Sequence, residues 1–128
     1  MLIIPALLAL SSYTLDVSEN FPICGEGRRV TCVVDGDTFW HNRIKYRLAD
    51  IDAPEVSEPQ CAAEARQGQA ATYRLAALLN AGRFELQSQG LDRYGRTLVT
   101  VTRSGRSIGG QLVSEGLARR WGDRRGWC

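Results

Sequence analysis

The stretch from Val33 to Glu55, V-V-D-G-D-T-F-W-H-N-R-I-K-Y-R-L-A-D-I-D-A-P-E, constrains this chain more than any other. It alternates like β-structure and carries five carboxylates, Asp35, Asp37, Asp50, Asp52 and Glu55, together with Arg47. Two carboxylates held about 4 Å apart repel by roughly 4 kcal/mol at an effective dielectric near 20, so a fold that gathers them needs a cation or raised pKa values. A hard, oxygen-preferring metal ion is the simplest cation of that kind.

With 128 residues the chain makes one domain around a single core. Its apolar and charged fractions exclude a disordered chain and a multi-span membrane protein. The formal charge of +2 is unevenly spread: residues 1–90 carry 8 basic and 11 acidic side chains (−3), and residues 91–128 carry 8 and 3 (+5). The basic half is a candidate polyanion-facing surface. Fifteen of the sixteen basic residues are arginine. That bias reads first as codon composition and second as a preference for bidentate phosphate contact.

Residues 1–10, M-L-I-I-P-A-L-L-A-L, are fewer than the roughly 18 apolar residues of a membrane span. They resemble the apolar region of an export signal, followed by Ser11 and Ser12 but without a charged start. We therefore read 1–15 as a signal peptide or membrane-proximal leader, 16–27 as an entry segment, 28–121 as the folded domain and 122–128 as a basic tail. Export would place the protein outside the cell, in the periplasm or in the envelope; the alternative is the cytoplasm. Cys24, Cys32, Cys61 and Cys128 allow three pairings, disulfides if exported and small core residues if not. The favoured pairing joins Cys24 to Cys32 and Cys61 to Cys128. A single histidine and no C-x-x-C leave no zinc site of the usual kind.

Arg28 to Val34 reads as a strand, Asp35-Gly36 as a hairpin turn, Asp37 to Trp40 as a second strand, His41-Asn42-Arg43 as a turn and Ile44 to Ile51 as a third strand. Ala53, before Pro54, is pushed to an extended conformation that ends the strand. Ser57 to Gln60 has capping-box spacing and starts a helix to about Asn80, with Cys61, Ala65, Gly68, Thr72, Leu75 and Leu79 on one side. Gly68 costs that helix about 1 kcal/mol against alanine, which points to a close backbone contact. Arg83 to Gln89 and Thr97 to Arg103 are strands four and five, joined by Gly90 to Arg96. Ser104-Gly105 is a turn, and Ser107 caps a short helix through Glu115. The expectation is a mainly β, α+β fold: a five-stranded OB-like Greek-key barrel with a long helix after strand three and a short one after strand five.

Four motifs in register, D-G-D-T (35–38), Y-R-L-x-x-I-D-A-P-E (46–55), D-R-Y-G-R-T-L (92–98) and L-V-x-x-G-L-A (112–118), resemble the staphylococcal nuclease (thermonuclease) family over roughly residues 28–121. The resemblance implies a calcium-dependent phosphodiesterase acting on DNA and RNA with little base preference, by cleavage on the 5′-oxygen side. It implies that Asp37, Asp52 and the Ala53 backbone carbonyl hold Ca2+. Glu55 then orients or deprotonates the attacking water, and Arg47 and Arg96 grip the scissile phosphate. Arg93 and Tyr94 match the pair near the nucleotide's other phosphate and sugar. The family usually has threonine where this chain has Ala53, a change that a carbonyl ligand tolerates. The family's longer C-terminal helix has no counterpart after Trp121. Its nucleotide-pocket tyrosine pair is also unmatched, so Trp121 is the candidate stacking face.

Each feature also has a plainer reading. Asp35-Gly36-Asp37 serves as a hairpin turn alone, Arg47 as an unpartnered surface cation, and Arg96 as a partner for Asp92 within its loop. His41 is read as a solvated turn residue. Asp35 and Asp50 are either partners behind the ligands or ordinary turn and strand-end residues. Arg119, Arg120, Arg124 and Arg125 either steer nucleic acid or form a solvated face. The rival functions are a non-catalytic nucleic-acid or protein-binding module and a disulfide-stapled envelope protein. The expected partner is DNA or RNA, with no lipid partner, and the expected state is monomeric.

Overall fold

The computed structural model describes residues 12–128, so most of the leader expectation lies outside the described residues. The elements in order are β1 (Thr14–Val17), β2 (Cys32–Asp35), β3 (Thr38–His41), β4 (Ile44–Leu48), β5 (Ile51–Asp52), α1 (Ala62–Asn80), β6 (Phe84–Leu91), β7 (Thr97–Arg103), β8 (Arg106–Ser107), α2 (Ile108–Ser114) and β9 (Arg119–Arg120). The class is mixed α+β as expected, but the strands outnumber the expected five. One seven-stranded sheet runs β1-β6-β7-β4-β3-β2 with β8 on β7, and β5 pairs with β9 separately. A parallel pairing of β4 with β7, Tyr46 opposite Thr97, joins the first meander to the later strands.

The entry segment carries core side chains. Val17 and Phe21 are buried, and Phe21 meets the rings of Phe39 and Phe84 at 5.8 and 5.7 Å. Thr14 to Val17 adds a strand to β6, and the Pro22 and Cys24 backbones exchange 2.8 Å hydrogen bonds with Val33. With the far edge of β2 taken in this way, the first meander strand begins at Cys32 rather than Arg28. Arg28 to Val30 form an exposed loop closed by the Cys24–Cys32 disulfide. Asn42 (φ 49°) and Arg43 (φ 69°) make the β3–β4 turn by themselves. His41 is therefore the last residue of β3, buried, with Nδ1 2.7 Å from Glu19 Oε2, and not a solvated turn residue.

The expected third strand is broken at Ala49-Asp50, where the Ala49 N–H turns to the Val99 carbonyl at 2.9 Å. Beyond the break, β5 pairs with β9, so the residues leading into the C-terminal tail form a strand. The long helix ends at Asn80 as expected but starts later, with Cys61 rather than Ser57 as its N-cap. Its buried face includes Gly68, Thr72, Leu75 and Leu79. The favoured disulfides, Cys24–Cys32 and Cys61–Cys128, are both formed. No helix among the described residues is long and apolar enough to cross a membrane.

Candidate active site

A cavity of about 750 Å³ opens where β2, β3 and β4 meet the loop after β5, the β6–β7 connection and the start of the tail. Its wall includes Asp35, Asp37, Arg47, Asp52, Ala53 and Glu55 from one side and Asp92, Arg93, Tyr94, Arg96 and Trp121 from the other. The residues named from the sequence, separated by up to 86 positions, thus reach one space.

The β2–β3 hairpin positions the first acids. The Asp37 N–H donates to Asp35 Oδ1 at 3.2 Å, so the turn reading of this pair holds as well. Asp37 itself is fixed by the Thr38 hydroxyl (2.9 Å to Oδ1) and the Ala53 N–H (2.9 Å to Oδ2). That second bond ties the hairpin to the end of β5. Gly36 permits the approach: a Cβ there would lie 2.8 Å from the Ala53 Cβ and 2.7 Å from the Ala71 Cβ of α1.

Arg47 is buried, not a surface cation. Its Nη1 donates to the Ile51 carbonyl at 2.9 Å and to the Leu48 carbonyl. Nη2 reaches Asp52 Oδ1 at 2.6 Å and Asp37 Oδ2 at 3.4 Å. The Trp121 ring centroid lies 5.3 Å from the guanidinium carbon, so an exposed aromatic face sits over the same cation. Across the cavity, Arg96 pairs with Asp92 at 2.7 Å within its loop and also lines the space. Tyr94 lies between Arg93 and Arg96, at 5.1 and 5.3 Å.

The electrostatics follow from this gathering. Burial and the neighbouring Asp37 push the Asp35 carboxyl up to about 8. Burial also raises Asp52 against the opposing pull of Arg47, and raises Glu55 with help from Asp37 and Glu64. Burial acts upward on Asp92 too, but hydrogen bonds from Arg96 and the Tyr94 N–H outweigh it and hold the carboxyl below its usual range.

No cluster of three or more His, Cys, Asp or Glu side chains that would hold a metal occurs among the described residues. The donors available are oxygens, from two carboxylates and a carbonyl, with room in the cavity for water. Asp35, Asp37, Asp52 and Glu55 gather with Arg47, while Asp92 balances Arg96; over the whole wall five acids meet five cations. The all-oxygen donor set fits a hard divalent cation.

One residue missed in the sequence and one read from it support this site. Buried Glu64 accepts from the Gln60 N–H (2.7 Å) and the Glu55 N–H (3.2 Å), fixing the backbone of the loop that carries Glu55. Its signal was the C-x-x-E spacing from Cys61, a capping pattern with sulfur in place of a hydroxyl. Gly68 supplies the close contact expected of it, since a Cβ there would meet the Glu55 carbonyl at 2.7 Å and the Pro54 carbonyl at 2.9 Å. Asp50, by contrast, anchors α2. Ser107 donates to its Oδ2 at 2.7 Å, and Asp50 does not line the cavity. Half of the tail's arginine run is locally engaged: Arg119 stacks on Trp127 at 4.0 Å and Arg125 pairs with Asp123 at 2.7 Å.

Residues 45–125, more than half of the chain, match the family model described as staphylococcal nuclease homologue. The chain is 36% identical over 95 residues to an uncharacterized endonuclease of Haemophilus influenzae, covering 70% of this chain and 49% of that protein. It is 28% identical over 130 residues to a thermonuclease of Staphylococcus hyicus, covering 93% and 77%. With the SPbeta prophage-derived endonuclease YokF of Bacillus subtilis it shares 32% over 108 residues, covering 82% and 34%. The chain thus spans about half of the Haemophilus protein and a third of YokF. The matched segment contains Arg47, Asp52, Ala53, Glu55 and Arg96 and ends within the basic tail, and on that match the chain belongs to the staphylococcal nuclease family.

Proposed function

We propose that this protein is a calcium-dependent nuclease that hydrolyses phosphodiester links of DNA and RNA with little sequence preference. The observation that carries the reading is the single cavity shared by Asp37, Asp52, Ala53, Glu55, Arg47 and Arg96. Relatives named endonuclease and thermonuclease support it.

Asp37, Asp52 and the Ala53 carbonyl are the residues to hold Ca2+. When bound, the ion supplies a Lewis acid for a phosphate oxygen. Arg47 and Arg96 offer planar, multi-donor grips for the remaining oxygens and balance the charge that builds as water adds to phosphorus. For this, Arg47 gives up part of its hold on Asp52, and Arg96 part of its hold on Asp92. Glu55, raised toward the working pH by burial and acidic neighbours, is suited to orient the water and take its proton. Departure of the 5′-oxygen leaves a 3′-phosphate end. Trp121 and Tyr94 present faces for bases or sugars on either side.

The β2-β3-β4 meander, joined to β7 by the parallel β4–β7 pairing, supports an OB-like reading of the sheet, with β1 as an added strand. The two disulfides support an exported protein, outside the cell or in its envelope. We also propose that it acts as a monomer.

The test is digestion of single-stranded DNA and of RNA in calcium and in a calcium chelator, with Glu55→Gln alongside. The expected result is cleavage in calcium only, reduced about 10²-fold or more by Glu55→Gln. Cleavage that persists in chelator, or none in calcium, removes the mechanism. Calcium-promoted binding without cleavage would instead indicate the binding-module function.

A further inference from the structure

Beyond Arg47, Arg96 and the Arg93 expected near the nucleotide's other phosphate, the cavity wall carries two further cations, Arg29 and Lys45. Lys45 lies two residues before Arg47 on β4, so both side chains leave the same face of the strand, about 6.8 Å apart along it. The β3 pairings place Thr38 opposite Arg47 and Trp40 opposite Lys45, two successive rows on that face. Trp40 is in turn opposite Cys32 of β2. The disulfide at Cys32 closes the loop that carries Arg29. That loop is fastened to the β3–β4 turn by the Arg43 N–H to Val30 carbonyl bond (2.9 Å) and the Asn42 N–H to Thr31 hydroxyl bond (3.2 Å). Arg29 therefore projects from a pinned loop at the cavity wall. Neither Arg29 nor Lys45 forms an ion pair among the described residues, whereas Arg47 and Arg96 both do.

Lys45, one strand step from Arg47, and Arg29 at the same wall are cations without an ion pair among the described residues, free to take an anionic group of the substrate. The step between rows is close to the separation of neighbouring phosphates along an extended nucleic-acid strand. We propose that Arg29 and Lys45 form a second phosphate subsite, which binds the backbone phosphate next to the scissile one. The site then grips a polynucleotide at an internal link and favours longer substrates over single dinucleotides. This rests on the proposed nuclease function and adds to it the form of the substrate.

The test measures binding by fluorescence anisotropy in calcium, on the Glu55→Gln background so that the substrate survives. A labelled twelve-residue oligothymidylate is the probe, and the dinucleotide d(TpT), with its single internal phosphate, is the competitor. Arg29→Gln and Lys45→Gln together should lower the preference for the oligomer over d(TpT) about tenfold and reduce the salt slope of log Kd by about 0.7 per residue. Lys45→Arg should restore the preference. Arg28→Gln, in the same exposed loop but off the cavity wall, is the control for general charge. An unchanged oligomer preference in the double variant, or equal losses from Arg28→Gln and Arg29→Gln, overturns the subsite. Arg29→Gln, on an exposed loop, keeps the test open if Lys45→Gln does not fold.

The parent protein, with Glu55 intact, separates the two readings. Tight, Arg29-dependent binding of the oligomer without its cleavage removes the nuclease reading and keeps the subsite. Cleavage with the same oligomer preference in the parent and in Arg29→Gln/Lys45→Gln removes the subsite and keeps the nuclease.

Discussion

Glu55 sits in a loop with its side chain only partly withdrawn from solvent, so its position depends on what holds the loop, and that is chiefly Glu64. Burying a carboxylate costs free energy that its hydrogen bonds must offset, and Glu64 spends both oxygens on the Gln60 and Glu55 N–H groups. It also acts on Glu55 through charge, as one of the neighbours that raise its carboxyl. Glu64→Ala should therefore destabilise the fold by about 2–4 kcal/mol, visible as a lower urea midpoint, and lower kcat about tenfold through loss of positioning. Glu64→Gln keeps an acceptor but removes the charge. With it, most of the activity should remain and the acid limb of the pH–rate profile should move to lower pH. An unmoved limb would show that Glu64 does not influence Glu55 electrostatically.

At the level of elements, the helix and the tail both define the cavity. Gly68 lets α1 lie directly under the Pro54-Glu55 backbone. Gly68→Ala gains about 1 kcal/mol of helix propensity, yet its methyl meets two carbonyl oxygens at 2.7 and 2.9 Å, which belong to backbone and yield only if the loop moves. A lower midpoint by thermal denaturation and a fall in kcat larger than any change in KM are expected. The Cys61–Cys128 disulfide spans 67 residues and fastens the tail that carries Trp121 to the helix N-cap. Its loop length implies about 4 kcal/mol of stabilisation, against about 2.5 kcal/mol for the 8-residue Cys24–Cys32 loop, so Cys61→Ser/Cys128→Ser should cost more by chemical denaturation than Cys24→Ser/Cys32→Ser. The extents of α1 at Asn80 and of β7 were legible because each has a strong local period and a glycine-bounded or polar end. β1, β5 and β9 were not, since they are two to four residues long and exist only through their partners. The helix start was misread because Ser57 to Gln60 has the right local chemistry, while a distant disulfide and buried Glu64 place the cap at Cys61.

For the molecule as a whole, the cavity wall was legible in the residues that one strand pair, two motifs and Trp121 supply, and obscure at Arg29, whose loop reaches the wall only through the fold. What that assembly costs should appear in the pH dependence of stability. Asp35 keeps its proton in the folded state up to about pH 8, whereas in the unfolded chain it loses the proton near the ordinary carboxylate value. Between those limits the unfolded state releases a proton that the folded state retains, so stability falls as pH rises, by up to about 1.4 kcal/mol per pH unit. Asp52 and Glu55, also raised, act in the same direction. Glu115 and Asp123, held at about 2 by Arg74 and Arg125, are ionised in both states above roughly pH 5 and leave that window flat. General repulsion runs the other way, since the net charge declines toward the sequence pI of about 8.5 as pH rises. With only +2 at pH 7, it is the weaker effect. In the absence of divalent ions the thermal midpoint should thus drop from pH 5 to pH 8, and Asp35→Asn should flatten that drop and raise the midpoint at pH 8. If calcium binds as proposed, it takes over the neutralising role of the retained proton and should raise the midpoint more at pH 8 than at pH 5, by an amount that grows with its concentration relative to Kd. A midpoint that climbs from pH 5 to pH 8 without calcium would mean that the carboxylates are already balanced by Arg47 and Arg96 alone, and that the cavity has no need of a divalent ion.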